Sequence, residues 1–325
     1  MNGRCRATAP VAAHSTARIA MVSTHGYVAA KPPLGAADTG GQVVYVLELS
    51  KKLAQLGYQV DIWTRQFEDQ PREEPCHPGV RVLRVPCGGP GFIPKEYLCE
   101  CLDEWSSGAL RRIEDEGLRY AFIDSHYWDG GIAGQALSHA LGIPHVHTPH
   151  SLGLWKQRQM LTDYPHDQAR FEQAYNFEHR NRSERGLYRN SDLVVATTAD
   201  QVDLLRNDYG VPDEKLRMIP PGYDDTRFYP VGASTRSVLR RKFGFEGKVI
   251  LSLGRIARNK GYDLLIRAFA EVVARDPEAR LVLAIGGERL DPAEERILGA
   301  CRELVHELAL DERVVFSGFV ADDDM

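Results

Sequence analysis

The sequence lacks a long hydrophobic segment and an excess of positive charge. No apolar run approaches the roughly 18–20 residues that a membrane-spanning helix needs, so we expect no membrane partner. Forty Lys and Arg residues against 45 Asp and Glu residues leave a formal net charge of −5. A chain without a basic surplus is a poor candidate for binding nucleic acid, and we expect no such partner.

Cysteine is also scarce, with six residues in a chain of 325. No two of them form a CxxC pair, which disfavours a zinc site. So few cysteines in a chain of this length do not make a disulfide framework. The pattern is typical of a reducing compartment, and we expect a cytoplasmic protein.

The length predicts two domains, at roughly 150 residues for each. Residues 1–17 carry Arg4 and Arg6 but no acidic residue, and they resemble a transit peptide weakly. The segment is short and Pro10 interrupts it, so a disordered N-terminal extension is the favoured interpretation.

From residue 18 onward, short β-type runs alternate with helical stretches. The run 19–23 precedes a Gly-rich loop and a helix with apolar residues at i, i+3, i+7 and i+10, namely Val46, Leu49, Leu53 and Leu56. Further strands are predicted at 60–64, 80–85, 120–124, 145–147, 193–196 and 216–219. Strands separated by helices predict a mostly parallel sheet covered on both faces, and hence a doubly wound α/β domain over residues 18–225.

A second α/β unit follows the break at Pro220-Pro221-Gly222. Residues 226–245 are expected to be an irregular linker, and strands are predicted at 248–253, 281–285 and 314–316. A doubly wound nucleotide-binding domain usually has about six strands. Residues 246–325 are therefore expected to hold only the first half of such a domain.

The run Asp38-Thr39-Gly40-Gly41-Gln42 joins the first strand to the first helix. Glycines let a ligand approach the backbone closely, and the free amides at a helix start favour anions or sugar oxygens. The run is not the GxGxxG fingerprint, so a nicotinamide cofactor has little support. A tight turn that binds nothing is the alternative interpretation.

Three histidines, His145, His147 and His150, invite a metal interpretation. Positions two apart on a strand face the same side, but no nearby cysteine completes a ligand set and Pro149 intervenes before His150. We therefore expect no metal. His150 ends a strand at the carboxyl edge of the sheet, where open α/β sheets bind ligands, although it could also be a hydrogen-bonded loop residue.

The run DSHYWD at 124–129 also follows a strand and precedes a helix. Polar groups mixed with aromatic rings at such a strand end suit a sugar. The alternative is an aromatic core cluster in which Asp129 caps the helix.

The loop after the first strand of the second unit is basic, with Arg255 and Lys260 beside Gly254 and Gly261. Two cations there could neutralise a diphosphate leaving group. An exposed basic loop without a ligand is the alternative.

Residues 18–325 resemble the retaining family-4 glycosyltransferases of the GT-B type, which have two doubly wound Rossmann-like domains facing a cleft. The runs similar to the sucrose-phosphate synthase branch are TGGQ at 39–42, DSHYWDGG at 124–131 and HSLG at 150–153. The runs closer to mannosylfructose-phosphate synthases are TPHSLGLWK (148–156), VVATTADQ (194–201), IPPGYDD (219–225) and GRIARNKGYDLL (254–265).

The resemblance implies a hexosyltransferase that moves a sugar from a nucleotide-diphosphate sugar to fructose 6-phosphate with retention of configuration. It implies donor contacts at Gly41, Gly254, Arg255 and Lys260, and a catalytic set of His150, Arg255 and Lys260. The implied acceptor residues are Gln42, Lys95, Tyr127, Asp129, Lys156 and Arg180. Among these, Lys95, Lys156 and Arg180 match the cations that hold the acceptor's phosphate. The two cations of the second unit stand in for a divalent metal, so no cofactor is expected.

Mannose, from GDP-mannose, is the favoured donor sugar. A UDP-glucose-dependent sucrose-phosphate synthase is one alternative, and a non-catalytic chain that binds sugar phosphates is another. The family also carries a Glu-x7-Glu element for the donor, which would lie beyond residue 325. We therefore expect this chain to bind the donor weakly and to turn over slowly or not at all.

Overall fold

A computed structural model of the chain describes residues 17–33, 38–245, 247–286, 290–318 and 320. The chain divides into two units between Asp224 and Asp225. The expected N-terminal extension lies outside the described residues, apart from residue 17. Among the helices that the structure describes, none is both long and apolar enough to cross a bilayer.

The first unit is built on an eight-stranded sheet with the order β3-β4-β2-β1-β5-β6-β7-β8. Its strands are β1 (Arg18–Val22), β2 (Gln59–Gln66), β3 (Glu73–His77), β4 (Val80–Pro86), β5 (Phe122–His126), β6 (His145–Thr148), β7 (Leu193–Ala196) and β8 (Leu216–Met218). Every neighbouring pair is parallel except β3–β4. The predicted doubly wound α/β architecture is confirmed.

The edge strand β3 is the strand that the hydrophobic pattern does not predict. Its sequence, EEPCH, has no apolar alternation, and its register with β4 is irregular between Pro75 and His77. An edge strand tolerates charges and proline because one of its sides is not paired. This strand therefore forms because it pairs with β4, and not because of its own amino-acid composition.

Within the described residues of the first unit, seven α-helices lie between these strands in sequence. They are α1 (Gly41–Gln55), α2 (Leu102–Asp115), α3 (Tyr127–Leu141), α4 (Gly153–Asp163), α5 (Gln168–Tyr175), α6 (Phe177–Asn190) and α7 (Ala199–Tyr209). The buried face of α1 is made by Val43, Val46, Leu47 and Ser50. This face differs in part from the predicted stripe, because Leu56 lies beyond the last helical residue and is 74% exposed.

Alternate residues of β1 pack into two separate cores. Ala20 and Val22 belong to a cluster with Trp63 and with Trp105 of α2. Met21 points the other way and joins a cluster with Val46 of α1. Since successive strand residues face opposite sides, one strand anchors helices on both faces of the sheet. Its carboxyl end is therefore held rigidly from both sides.

The second unit has a three-stranded parallel sheet with the order β11-β10-β9. Its elements are β9 (Val249–Gly254), β10 (Arg280–Ile285), β11 (Val314–Phe316), α8 (Ala233–Lys242), α9 (Tyr262–Arg275) and α10 (Pro292–Glu307). The three predicted strands are confirmed. A capping box between Asp291 and Glu294 begins α10.

The prediction of an irregular linker at 226–245 is wrong in part, since α8 occupies half of that segment. Helix α8 has no buried residue, so the hydrophobic pattern gave no signal for it. Its last turn carries Arg240, Arg241 and Lys242, and cations there are favourable to the helix dipole.

Candidate active site

The sheet of the first unit changes winding direction at β1, which lies between β2 and β5. In open α/β sheets, ligands bind at the carboxyl ends of the strands where this change occurs. Ser23, Thr24 and His25 follow β1 there, and the start of α3 follows β5. The segments that the sequence singled out in the first unit therefore lie at one edge of its sheet.

The N-terminus of α1 is open at this edge. A Cβ atom added at Gly40 or Gly41 would meet no atom of the described residues within 4 Å, apart from its chain neighbours and the backbone of its own helix. The N-cap residue is Gly40, which has no side chain to cap the helix, and the first amides of an α-helix have no partner within it. Gln42 donates from Nε2 to Ser23 Oγ at 3.1 Å, which fixes its amide beside β1. The two residues predicted here, Gly41 and Gln42, thus border accessible space.

Asp129, a predicted acceptor residue, is fully buried below this edge. Its carboxylate accepts a hydrogen bond from Thr24 Oγ1 at 2.6 Å, and His25 Nδ1 lies 2.9 Å from its other oxygen. In this structure Asp129 holds the segment after β1 against α3. Hydrogen bonds across more than 100 residues of sequence are not visible to pattern analysis, so Thr24 and His25 were missed.

Three non-glycine residues with left-handed backbone conformation occur in segments of this site. The φ angles are 54° at Asp38, 65° at Tyr127 and 59° at His150. Such conformations cost roughly 1 kcal/mol or more, and they persist only where surrounding contacts impose them. Tyr127 is held by Arg180, which donates from Nη1 to its hydroxyl oxygen at 2.9 Å.

Lys95 comes from the loop after β4 and is tied to two acidic side chains. Its Nζ donates to a carboxylate oxygen of Asp38 and lies 3.5 Å from Glu96 Oε1. Burial alone would lower the pKa of Lys95, but the hydrogen bond to Asp38 and the charge of Glu96 outweigh it and raise that pKa. Lys95 therefore stays protonated in a partly buried position.

Lys156, in α4, makes no ion pair with any acidic residue that the structure describes. Its Nζ lies 3.9 Å from the ring centroid of Tyr175, a cation–π distance. Burial, together with the charges of Arg180 and Lys95, lowers the pKa of Lys156 to about 8, although the charges of Glu96 and Asp38 act in the opposite direction. Lys156 thus lies within electrostatic reach of the other two predicted phosphate-binding cations.

Arg180, in α6, is 2% exposed and forms a buried ion pair with Glu184. Its Nε donates to Glu184 Oε1 at 2.7 Å, and its Nη2 donates to the carbonyl oxygen of Ser151 at 2.9 Å. Burial would lower the pKa of Arg180, but Glu184 raises it. Since Glu184 offsets the charge of Arg180, Lys156 is the member of the trio without a carboxylate ion-pair partner in the part of the chain that the structure describes.

His150 lies after β6 and is bonded to a second imidazole. Its Nε2 is 3.0 Å from Nδ1 of His126, and its ring packs edge-on against Tyr45 of α1 at 4.9 Å. Burial lowers the pKa of His150 to about 4. The ring is therefore neutral at pH 7, and it can accept one hydrogen bond and donate another.

His145 and His147 face the opposite side of the sheet and share a serine. The Oγ atom of Ser125 lies 2.7 Å from His145 Nε2 and 2.8 Å from His147 Nδ1. Both rings are buried, and burial lowers the pKa of His145 to about 4. Within the part of the chain that the structure describes, no three His, Cys, Asp or Glu side chains are arranged to hold a metal ion.

In the second unit, the loop after β9 presents Arg255 and Lys260 as exposed side chains. The hydroxyl of Tyr262 donates to the carbonyl oxygen of Arg255 at 3.0 Å, which ties the loop to the start of α9. Gly261 follows Lys260 with a φ of 64°, a conformation that favours glycine. These contacts order the loop backbone, while Arg255 and Lys260 remain exposed residues.

Comparison with known proteins identifies the family. Residues 39–227 match the family described as Glycosyltransferase Family 4, and residues 236–325 match Glycosyl transferases group 1. Residues 12–65 also match the first GT-B domain of sucrose synthase.

Two curated relatives are similar over most of the chain. It is 60% identical over 308 residues to a mannosylfructose-phosphate synthase of Agrobacterium fabrum, covering 95% of this chain and 68% of that one. It is 34% identical to a D-inositol 3-phosphate glycosyltransferase of Nocardiopsis dassonvillei, covering 83% of this chain and 60% of that one.

Solved structures agree with this assignment. A sucrose-phosphate synthase from Thermosynechococcus elongatus matches with a TM-score of 0.72 and 30% identity, over 94% of this chain and 71% of that chain. Anabaena HepE, solved with UDP and glucose, matches with a TM-score of 0.61 and 18% identity, over 95% and 71%, which shows the fold alone. The chain belongs to glycosyltransferase family 4 and has two Rossmann-like units of the GT-B type.

Proposed function

We propose that the chain is part of a retaining hexosyltransferase that transfers a hexose, mannose in the favoured case, from a nucleotide-diphosphate sugar to fructose 6-phosphate. The product is a phosphorylated, non-reducing disaccharide. The relative with 60% identity is a mannosylfructose-phosphate synthase, which supports this acceptor and this sugar.

The cation cluster of the first unit carries the proposal. Lys156 is partly buried, has no carboxylate partner among the described residues, and lies within electrostatic reach of Lys95 and Arg180. A phosphate group bound to Lys156 would offset this concentration of positive charge. Hydrogen bonds between charged partners contribute about 1.5–3 kcal/mol each, so such a site favours a phosphorylated acceptor over a free sugar.

Arg255 and Lys260 supply the donor side of the proposal. When the bond between the sugar C1 and the phosphate oxygen breaks, positive charge develops on the ring and negative charge on the diphosphate. Fixed cations near the diphosphate lower the barrier where that charge develops. This role needs no divalent metal, in agreement with the expectation that no cofactor takes part.

In the proposed retaining step, the acceptor hydroxyl attacks C1 of the donor sugar on the same face from which the leaving group departs. The acceptor hydroxyl oxygen forms the new bond to C1, and its proton passes to the departing phosphate oxygen. The nucleoside diphosphate leaves with that proton, so the chemistry requires no pair of carboxylates of the glycosidase kind. Neutral His150 would hydrogen-bond the donor sugar beside the reacting carbon.

Lys156→Met tests the acceptor site. We expect the Kd for fructose 6-phosphate, measured by calorimetric titration, to rise roughly 10- to 100-fold, because one charge-assisted contact is lost. Arg158→Met is the matched control, since Arg158 is in the same helix but pairs with Asp208 and is half exposed. Equal affinity of the two variants for fructose 6-phosphate would contradict the proposed acceptor site.

Arg255→Ala tests the donor site. We expect the Kd values for GDP and for UDP each to rise by roughly tenfold or more, because the substitution removes a cation that faces the diphosphate. Arg258→Ala, which removes an exposed cation from the same loop, should change either Kd less than about threefold. Weaker binding of GDP than of UDP to the unsubstituted chain would favour the sucrose-phosphate synthase alternative.

The alternative from another class is a chain that binds sugar phosphates without catalysis. Its signature would be a measurable Kd for fructose 6-phosphate together with no binding of GDP or UDP. The two titrations above therefore separate it from the transferase.

A further inference from the structure

Strand β5 carries side chains that the proposed function does not use. Ser125 faces α3 and contacts His145 and His147 on that side. Its two neighbours face α1 instead, where the ring of His126 packs against Tyr45 at 5.7 Å. Because strand residues alternate between faces, Asp124 and His126 lie together on the same side as His150.

The side chains of Asp124, His126 and His150 lie in a row that ends at His150. Oδ1 of Asp124 is 3.8 Å from Nε2 of His126, and Nδ1 of His126 is 3.0 Å from Nε2 of His150. Asp124 and His126 are buried. Oδ1 of Asp124 and Nε2 of His126 have no hydrogen-bond partner among the described residues.

The positions of the protons follow from this arrangement. Burial lowers the pKa of both imidazoles, so each is neutral at pH 7 and carries one N–H. Burial raises the pKa of Asp124 to about 7, so this side chain is a carboxylate above that pH. Its negative charge, 3.8 Å from Nε2 of His126, then favours the proton on Nε2, since a lone pair there would face that charge. Nδ1 of His126 is then an acceptor, and Nε2–H of His150 must donate to it. The remaining ring nitrogen of His150, Nδ1, is left as an acceptor.

We propose that Asp124 and His126 are positioning residues that fix the tautomer of His150, so that its Nδ1 atom presents a lone pair. Neither residue needs to touch the substrate. They decide whether His150 accepts a hydrogen bond or donates one.

The chemical consequence concerns the donor sugar. With Nδ1 as an acceptor, His150 receives a hydrogen bond from a sugar hydroxyl, and the oxygen of that hydroxyl becomes slightly more electron-rich. The more electron-rich oxygen stabilises the positive charge that develops on the sugar ring as the leaving group departs. The step from tautomer to sugar rests on the proposed function, whereas the proton arrangement itself does not.

Nitrogen-15 NMR of the histidine rings tests the proton arrangement without substrate or turnover. Protonated and unprotonated ring nitrogens differ widely in chemical shift, so each tautomer is read directly. The spectra are recorded at pH 8, above the pKa of Asp124, which burial raises to about 7. Signals are assigned with His126→Gln and His150→Gln. In the unsubstituted chain, we expect both His126 and His150 to be protonated at Nε2.

Asp124→Asn keeps the side-chain volume and removes the charge. The amide can donate to Nε2 of His126, so we expect the shift pattern of both rings to reverse, with the protons on Nδ1. Ser125→Ala is the control on the other face of the strand. It should alter the signals of His145 and His147 and leave those of His126 and His150 unchanged.

Two results would overturn the proposal. One is a proton on Nδ1 of His126 in the unsubstituted chain, which needs no variant to detect. The other is an Asp124→Asn spectrum in which both rings keep their original tautomers. Neither result bears on binding of fructose 6-phosphate, so the proposed function would still be tested by the titrations above.

Discussion

Arg180→Met is expected to lower the free energy of unfolding of the first unit by roughly 3–5 kcal/mol, because it leaves the Glu184 carboxylate buried without its cation. Glu184 is 0% exposed. It would keep hydrogen bonds from the backbone N–H of Gly153 and the hydroxyl of Tyr209, but these neutral donors do not offset a buried charge. All four tryptophans lie in the first unit, so urea unfolding followed by tryptophan fluorescence measures this unit.

Helix α6 contains its own control for this experiment. Arg182 and Glu178 form an ion pair of the same i, i+4 spacing, but their side chains are 73% and 76% exposed. Arg182→Met should therefore cost less than about 0.5 kcal/mol. Adding Glu184→Gln to Arg180→Met should recover part of the loss, since no charge then remains buried. A loss below about 1 kcal/mol in Arg180→Met alone would contradict the importance of the buried pair.

The first unit is also expected to lose several kcal/mol of stability between pH 6.5 and pH 4.5. Burial lowers the pKa of four histidines, to about 4 for His145 and His150 and well below the ordinary value for His126 and His147. Below pH 6.5 these histidines bind protons in the unfolded chain but stay neutral in the folded chain, so the free energy of unfolding falls. Above pH 6.5 these histidines are neutral in both states, so their contribution to the free energy of unfolding does not change with pH. For His145 and His150, a shift of this size is worth roughly 3 kcal/mol each.

Asp124 acts in the opposite direction. Burial raises its pKa to about 7, so the folded chain takes up this proton before the unfolded chain does, and stability rises as the pH falls from 7 to about 4. One carboxyl offsets only part of the effect of four histidines. Ordinary carboxylates titrate mostly below this window, which isolates the histidines.

Urea unfolding at pH 7.5, 6.0 and 5.0 measures the net effect of these groups. His306→Gln, which removes an exposed histidine, should leave the pH dependence unchanged, whereas His145→Gln should weaken it. A free energy of unfolding that stays constant from pH 7.5 to pH 5.0 would be the contrary outcome.

Much of the fold could be predicted from the sequence because it depends on local regularities. Apolar runs of strand length separated by helical stretches predicted ten of the strands and the parallel sheets. Two elements that the hydrophobic pattern did not predict, β3 and α8, bury little apolar surface of their own. The strand β3 forms through pairing with β4, and α8 has no buried residue. Neither leaves a periodic hydrophobic pattern.

The candidate site was predictable in its location and only partly in its detail. A glycine-rich turn and a polar strand end indicate the carboxyl edge of a sheet, whatever the rest of the chain does. The grouping of Lys95, Lys156 and Arg180 entered only through a family resemblance, since 85 residues of sequence separate the first from the last. Their convergence and their partners, such as Glu184, are properties of the folded chain.

The sequence by itself determined the two α/β units, the parallel sheets and the family, because these follow from hydrophobic periodicity and from contiguous motifs. Only the tertiary structure decided the charge state of the site. It placed Glu184 against Arg180, which leaves Lys156 without a carboxylate partner among the described residues, and it buried Asp129 beneath the edge of the sheet. It also lined up Asp124, His126 and His150. Burial and long-range contacts set protonation and pairing, and no local pattern in a sequence encodes either of them.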